Sequence, residues 1–154
     1  MFDTFQGLPV HALVLHVTVV LVPLMSLLTV LVAVVSRWRP RGAWPVVVGN
    51  VAVLGAVFAT TQSGEALQSR LPANPQIQTH AGLGNAMTNF TLALLVASVL
   101  VALVRRRSGA VVMAVAVVAV IAAAAATVWV ARVGHSGSTA VWKDVISSTD
   151  PPSG

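Results

Sequence analysis

The chain contains no cysteine, which excludes a disulfide, an iron–sulfur cluster of its own and covalently attached c-type haem. Iron–sulfur clusters are held by cysteine thiolates, and c-type haem needs a Cys-x-x-Cys-His attachment motif. Any cofactor must therefore be held by histidine, aspartate, glutamate, methionine or backbone groups. The chain offers four histidines and four acidic residues for this purpose.

Charged residues are also scarce in this chain. Only 8% of the 154 residues are charged, whereas 56% are hydrophobic, and the mean hydropathy is +0.88. A soluble domain of this length could not cover so much apolar surface with so few polar side chains. The composition predicts an integral membrane protein in a lipid bilayer. The net charge of +5 is then a signal of membrane topology, and we expect no nucleic-acid partner.

Four apolar stretches are each long enough to cross a bilayer, since a helix needs about 20 residues to span about 30 Å of hydrocarbon. The predicted transmembrane helices cover about residues 8–36, 44–62, 83–104 and 110–133. Glycine and alanine in the second and fourth stretches favour close helix packing inside lipid. The predicted fold is all-α, a polytopic four-transmembrane-helix antiparallel bundle. We expect residues 1–146 to form this domain and residues 147–154 to form a disordered polar tail.

Arginines mark one side of the membrane. Arg37, Arg39 and Arg41 lie between the first two stretches, and Arg105, Arg106 and Arg107 lie between the last two. Short loops rich in Lys and Arg stay in the cytoplasm. We therefore expect both termini to lie outside the plasma (inner) membrane, with an outer loop at about residues 63–81. The chain then resembles two successive hairpins, each with an arginine-rich turn.

All four histidines fall on the predicted outer side. His16 lies about eight residues, or ~12 Å, inside the first stretch, which is deep for an imidazole. His11 precedes His16 by five residues, a rotation of ~140° around the helix, so both rings cannot bind one small ion. His80 precedes the third stretch and His135 follows the fourth. The predicted helices therefore bring polar groups to one outer region.

Two kinds of histidine site compete for this region, because neutral imidazoles bind haem iron, copper and zinc. For haem b we predict His16 and His80 as ligands, with His135 as a substitute and Asn85 orienting the ligands. For copper or zinc we predict a mixed set nearer the interface. That set is His11, His80, His135 and Glu65. The alternative is that these groups only hydrogen-bond to one another and to water, and thereby fix the order of the helices.

Residues 7–16 and 19–24 resemble the start of a bacterial family of four-helix membrane domains, domain of unknown function 2231. Its first helix typically begins His-Pro-x-x-Val-His, whereas this chain has Ala12 in place of the proline. The similarity continues at residues 63–66, at His80 with Asn85 and at residues 134–135. The resemblance implies a four-helix membrane fold. The association of some members with Rieske-type or cytochrome domains suggests electron transfer.

We therefore expect a membrane protein with a histidine site at its outer face, most concretely a b-type haem electron carrier. It would act as an electron carrier or as an accessory subunit, with a respiratory or other redox membrane complex as its partner. The alternatives are a copper- or zinc-binding or transport-accessory protein, and a purely structural subunit of a larger complex. An enzyme is disfavoured, because the sequence has no Ser-His-Asp, paired-carboxylate or phosphate-cradling arrangement.

Overall fold

The computed structural model describes residues 4–5 and 8–149. Four helices account for nearly all of this part of the chain. They are α1 (Val10–Val34), α2 (Arg39–Gln68), α3 (Pro75–Leu103) and α4 (Ala110–Thr149). Before them, strand β1 (Thr4–Phe5) pairs antiparallel with strand β2 (Leu8–Pro9), a small ribbon that the sequence analysis did not predict. The predicted all-α four-helix fold is confirmed.

All four helices are long and apolar enough to cross a membrane. The candidate spans are Val14–Val34, Arg39–Gln68, Pro75–Leu103 and Ala110–Lys143. Each helix packs against the next along the chain, and α4 packs back against α1. The connections between them are short, so neighbouring helices run antiparallel and α1 runs in the same direction as α3.

The bundle therefore has two chemically different ends. One end, here the histidine end, carries all four histidines. The other, here the arginine end, carries the two arginine clusters, in the α1–α2 and α3–α4 connections and the first turn of α2. There the buried Arg39 donates from Nη2 to the carbonyl oxygen of Ala33 at 2.7 Å, satisfying an acceptor in the last turn of α1.

Three helices are longer than predicted. α2 begins at Arg39, not at about residue 44, because a proline is tolerated in the first turn of a helix, and it continues to Gln68 instead of ending at about residue 62. α4 continues past residue 133 to Thr149, so the first residues of the predicted disordered tail are helical. Residues 150–154 of that tail lie outside the described residues. Hydropathy marks where an apolar run ends, whereas a helix continues through polar residues that keep its backbone hydrogen bonds.

The start of α3 shows why the predicted outer loop was too long. Asn74 caps the helix, and its Oδ1 accepts a hydrogen bond from the Gln76 amide at 2.8 Å, with Pro75 in the first turn. These residues are a helix-start signal that lies inside the predicted outer loop. The loop between α2 and α3 covers only residues 69–74 and not 63–81.

Polar contacts join α1 to α2 inside the bundle. Thr18 Oγ1 and Thr60 Oγ1 lie 2.8 Å apart near the histidine end. Deeper in the bundle, Asn50 donates from Nδ2 to Thr29 Oγ1 at 3.0 Å, and both side chains are 1% exposed. Close packing accompanies these contacts, since a Cβ on Gly49 would lie 2.4 Å from Met25 Cε. The absence of a side chain at Gly49 therefore allows the two helices to approach.

Candidate functional site

A cavity of about 630 Å³ lies among the four helices at the histidine end. Its volume is within the range of about 300–1,000 Å³ that is typical of small-molecule and cofactor sites. Most of the lining is apolar, with Val57 and Val130 at its deeper level. Among the polar side chains that line it are His11, His80 and Glu65.

The His11 ring is held by α2. Its Nδ1 lies 3.1 Å from the carbonyl oxygen of Thr60 and 3.3 Å from Ser63 Oγ, and Ser63 Oγ itself donates to the Thr60 carbonyl at 2.9 Å. A carbonyl oxygen only accepts hydrogen bonds, so Nδ1 is the protonated nitrogen in this arrangement. The Nε2 atom of His11 therefore retains its lone pair.

The His80 ring is held in the same way by α4. Its Nδ1 lies 3.0 Å from Ser136 Oγ, and this hydroxyl donates to the carbonyl oxygen of Val133 at 2.8 Å. Because the one hydroxyl hydrogen is used there, the serine oxygen accepts from Nδ1 of His80. The Nε2 atom of His80 also retains its lone pair, which is the state in which imidazole binds a metal.

The two rings lie side by side. The ring centroids of His11 and His80 are 6.4 Å apart, and the ring planes are inclined at 78°. Each ring rests on a glycine of the helix that holds it. A Cβ on Gly64 would lie 2.9 Å from His11 Cε1, and a Cβ on Gly137 would lie 3.0 Å from His80 Cε1. A side chain at either glycine would displace the adjacent imidazole.

Electrostatics favour the neutral form of His11, which precedes the Val14–Val34 span. Burial lowers the pKa of its imidazole below the ordinary value, and the neighbouring His80 lowers it further. The hydrogen bond to the Thr60 carbonyl opposes these effects. A lowered pKa leaves the ring neutral near pH 7, and a neutral imidazole is the form that accepts a metal.

His16 and His80, the predicted haem pair, line the same cavity, and Asn85 lines it as well. The ring contact of His80 is with His11, and His16 is an exposed residue. A rotation of ~140° about the helix axis separates positions 11 and 16, so the two rings point in different directions. Hydropathy does not indicate which of the two contacts His80.

The structure also does not assemble the predicted copper or zinc set. His11, His80 and Glu65 line the cavity, whereas His135 is exposed and is not part of its lining. Among residues that the structure describes, no group of three or more His, Asp or Glu side chains is placed to hold a metal ion. His135 was also the predicted substitute ligand for haem, and its position does not favour that role.

Sequence reasoning assigned no role to the residues that hold the two imidazoles. Ser63 and Gly64 on α2 contact His11, and Ser136 and Gly137 on α4 contact His80. The signal that would have found them is the repeated dipeptide Ser-Gly, which occurs at the histidine end of both helices.

The fold and this cavity define a four-helix integral membrane protein with paired histidines at one end. The chain belongs to the family described as predicted membrane protein (DUF2231), whose model matches residues 7–150. This match confirms the resemblance found in the sequence, and the four apolar spans place the chain in a lipid bilayer. No curated protein and no solved structure matches the chain.

Proposed function

We propose that this protein binds haem b, which His11 and His80 would hold through their Nε2 atoms. The supporting observation is the histidine pair itself. Each Nδ1 is hydrogen-bonded to a neighbouring helix, and the two rings are 6.4 Å apart at an apolar cavity. A hydrogen bond to the remote nitrogen is the usual device that fixes the tautomer and orientation of a metal-binding histidine.

The donor set favours haem over zinc or copper. A structural zinc site takes four protein ligands and a catalytic one takes three, whereas the histidine pair supplies two. Haem needs only axial ligands from the protein, because the porphyrin supplies the other nitrogens, and its large apolar ring requires an apolar cavity. The residues that line this cavity are of that kind.

We infer that the protein works as an electron carrier or as an accessory subunit of a respiratory or other redox membrane complex. Haem would supply one-electron chemistry, and the chain would hold it, orient it and exclude water. The arginine clusters favour a cytoplasmic arginine end. The histidine end would then lie at the outer face of the plasma membrane, where an outer redox partner has access to it.

The test is a dithionite-reduced minus oxidised absorption spectrum of protein produced with ample haem and purified in mild detergent. We expect sharp Soret and alpha bands that are lost in His11→Ala and in His80→Ala. His135→Ala is the matched control, because His135 is exposed and outside the cavity lining, and it should keep the bands. A flat wild-type spectrum would reject haem binding and leave a structural role in a larger complex as the alternative. Equal loss of the bands in all three variants would reject His11 and His80 as the ligand pair.

A further inference from the structure

The two histidines have matching surroundings. In each case a histidine in the early turns of a hairpin's first helix contacts a serine on its second helix. The Nδ1 to Oγ distance is 3.3 Å for His11 with Ser63 and 3.0 Å for His80 with Ser136. Each serine also donates to the carbonyl three residues before it, at 2.9 Å and 2.8 Å respectively. Unrelated packing of two histidines would not reproduce this whole set of contacts.

The glycines match even more closely. A Cβ on Gly64 would lie 2.9, 3.2 and 3.7 Å from Cε1, Nδ1 and Nε2 of His11. A Cβ on Gly137 would lie 3.0, 3.3 and 3.6 Å from the same three atoms of His80. The backbone of each second helix therefore approaches its imidazole at the same place and at the same distance.

The correspondence extends to the rest of the cavity. When the sequence of α1 is aligned with that of α3 so that His11 matches His80, His16 matches Asn85. When α2 is aligned with α4 so that their Ser-Gly dipeptides match, Val57 matches Val130 and Glu65 matches Ser138. All six of these residues line the cavity. The two hairpins thus contribute equivalent positions, although the side chains at some of them differ.

We infer that the domain is a tandem repeat of one helical hairpin. Each hairpin carries one half-site, which consists of a histidine on its first helix and the Ser-Gly dipeptide that the histidine contacts on its second helix. The cavity would hold its ligand between two equivalent Nε2 donors. Because α1 and α3 run in the same direction, the hairpins are related by an axis along the bundle, as in parallel membrane repeats. The identity of the ligand rests on the proposed function, whereas the equivalence of the half-sites does not.

The test compares Gly64→Ala with Gly137→Ala in the full chain in detergent, using Gly134→Ala as the matched control. Gly134 lines the same cavity on α4, but a Cβ there would meet nothing within 4 Å. The first readout is the ¹⁵N spectrum of the histidine rings without haem. We expect each of the two variants to shift the resonances of its own histidine, by similar amounts, and the control to shift neither.

A second pair of variants guards against misfolding of the glycine variants. Ser63→Ala and Ser136→Ala each remove the hydroxyl that lies beside one Nδ1 atom, so each should shift the Nδ1 resonance of its own histidine, by similar amounts. His11 keeps its Nδ1–H form in Ser63→Ala, because the Thr60 carbonyl still accepts from Nδ1. The corresponding threonine variants keep the hydroxyl and should restore the wild-type resonances. An effect in one hairpin without an equal effect in the other would refute the inference.

Haem binding by the same variants separates this inference from the proposed function. If the proposed function and the repeat are both correct, Gly64→Ala and Gly137→Ala should each lower haem affinity at least tenfold. The two losses of affinity should agree to within about threefold. Matched ring spectra in a wild-type protein that binds no haem would overturn the proposed function and support the repeat. Haem binding by a protein whose two histidines give unmatched ring spectra would support the proposed function and overturn the repeat.

Discussion

Thr29→Val should destabilise the bundle although it removes no volume, because it leaves the Asn50 amide without its hydrogen-bond acceptor. Asn50 Nδ2 donates to Thr29 Oγ1 at 3.0 Å, and Asn50 Oδ1 has no hydrogen-bond partner in the described part of the chain. Hydrogen bonds between membrane helices average about 0.6 kcal/mol and reach about 1.7. A buried polar group left unpaired costs about 1–3 kcal/mol. We therefore expect the free energy of unfolding to fall by about 1–3 kcal/mol.

Thr91→Val is the matched control for Thr29→Val. Thr91 is equally buried, but its hydroxyl donates to the carbonyls of Met87 and Thr88 in its own helix. Its replacement orphans no side chain on another helix, so the free energy of unfolding should change by less than about 0.5 kcal/mol. Both variants are measured by SDS titration in mixed micelles, with the loss of helical circular dichroism as the signal.

A double-mutant cycle isolates the contact between the two side chains. In an Asn50→Ala background no amide remains to be orphaned, so Thr29→Val should cost less than about 0.5 kcal/mol there. The coupling energy should thus be at least about 0.5 kcal/mol. Equal costs of Thr29→Val in the two backgrounds would refute this reasoning, as would a Thr91→Val cost as large as that of Thr29→Val.

Two further predictions concern packing and topology. Gly49→Ala should destabilise the bundle by no more than about 1 kcal/mol, because its Cβ would overlap only Cε and Sδ of Met25, the far end of a flexible side chain that can move. Gly55→Ala, whose Cβ would meet nothing within 4 Å, should be neutral or stabilising in the same SDS titration. A single cysteine in place of Ser69 should react with an impermeant maleimide from outside the cell. A single cysteine in place of Ser108 should react only after the membrane is permeabilised. The opposite labelling pattern would place the histidine end in the cytoplasm.

The number and order of the helices could be predicted because lipid imposes a length and an apolar composition that are visible in sequence. The helix ends could not be found from hydropathy, since they depend on local hydrogen bonds. Asn74 and Gln76 begin α3 before its apolar run starts, and α4 continues to Thr149 after its own run has ended. A helix that leaves the hydrocarbon keeps its backbone hydrogen bonds in water.

The candidate site could be predicted in location but not in detail. The arginine turns and the positions of the histidines predict that the imidazoles gather at one end of the bundle. The choice between His11 and His16 depends on the rotation of α1 about its axis, and a helix that is apolar all round leaves that rotation undetermined. The contributions of Ser63 and Gly64 depend on how closely α2 approaches α1, which is a property of the packed bundle.

The differences between the two half-sites decide how an asymmetric ligand would lie in the cavity. If the hairpins lined it identically, a flat ligand could bind in two flipped orientations of equal energy, and both would be equally populated. In the inferred repeat His16 corresponds to Asn85 and Glu65 corresponds to Ser138, and all four residues line the cavity. A difference of only about 1.4 kcal/mol between the orientations gives a tenfold preference for one. The first hairpin has an imidazole at position 16 and a carboxylate at position 65, and these groups would distinguish one edge of such a ligand from the other.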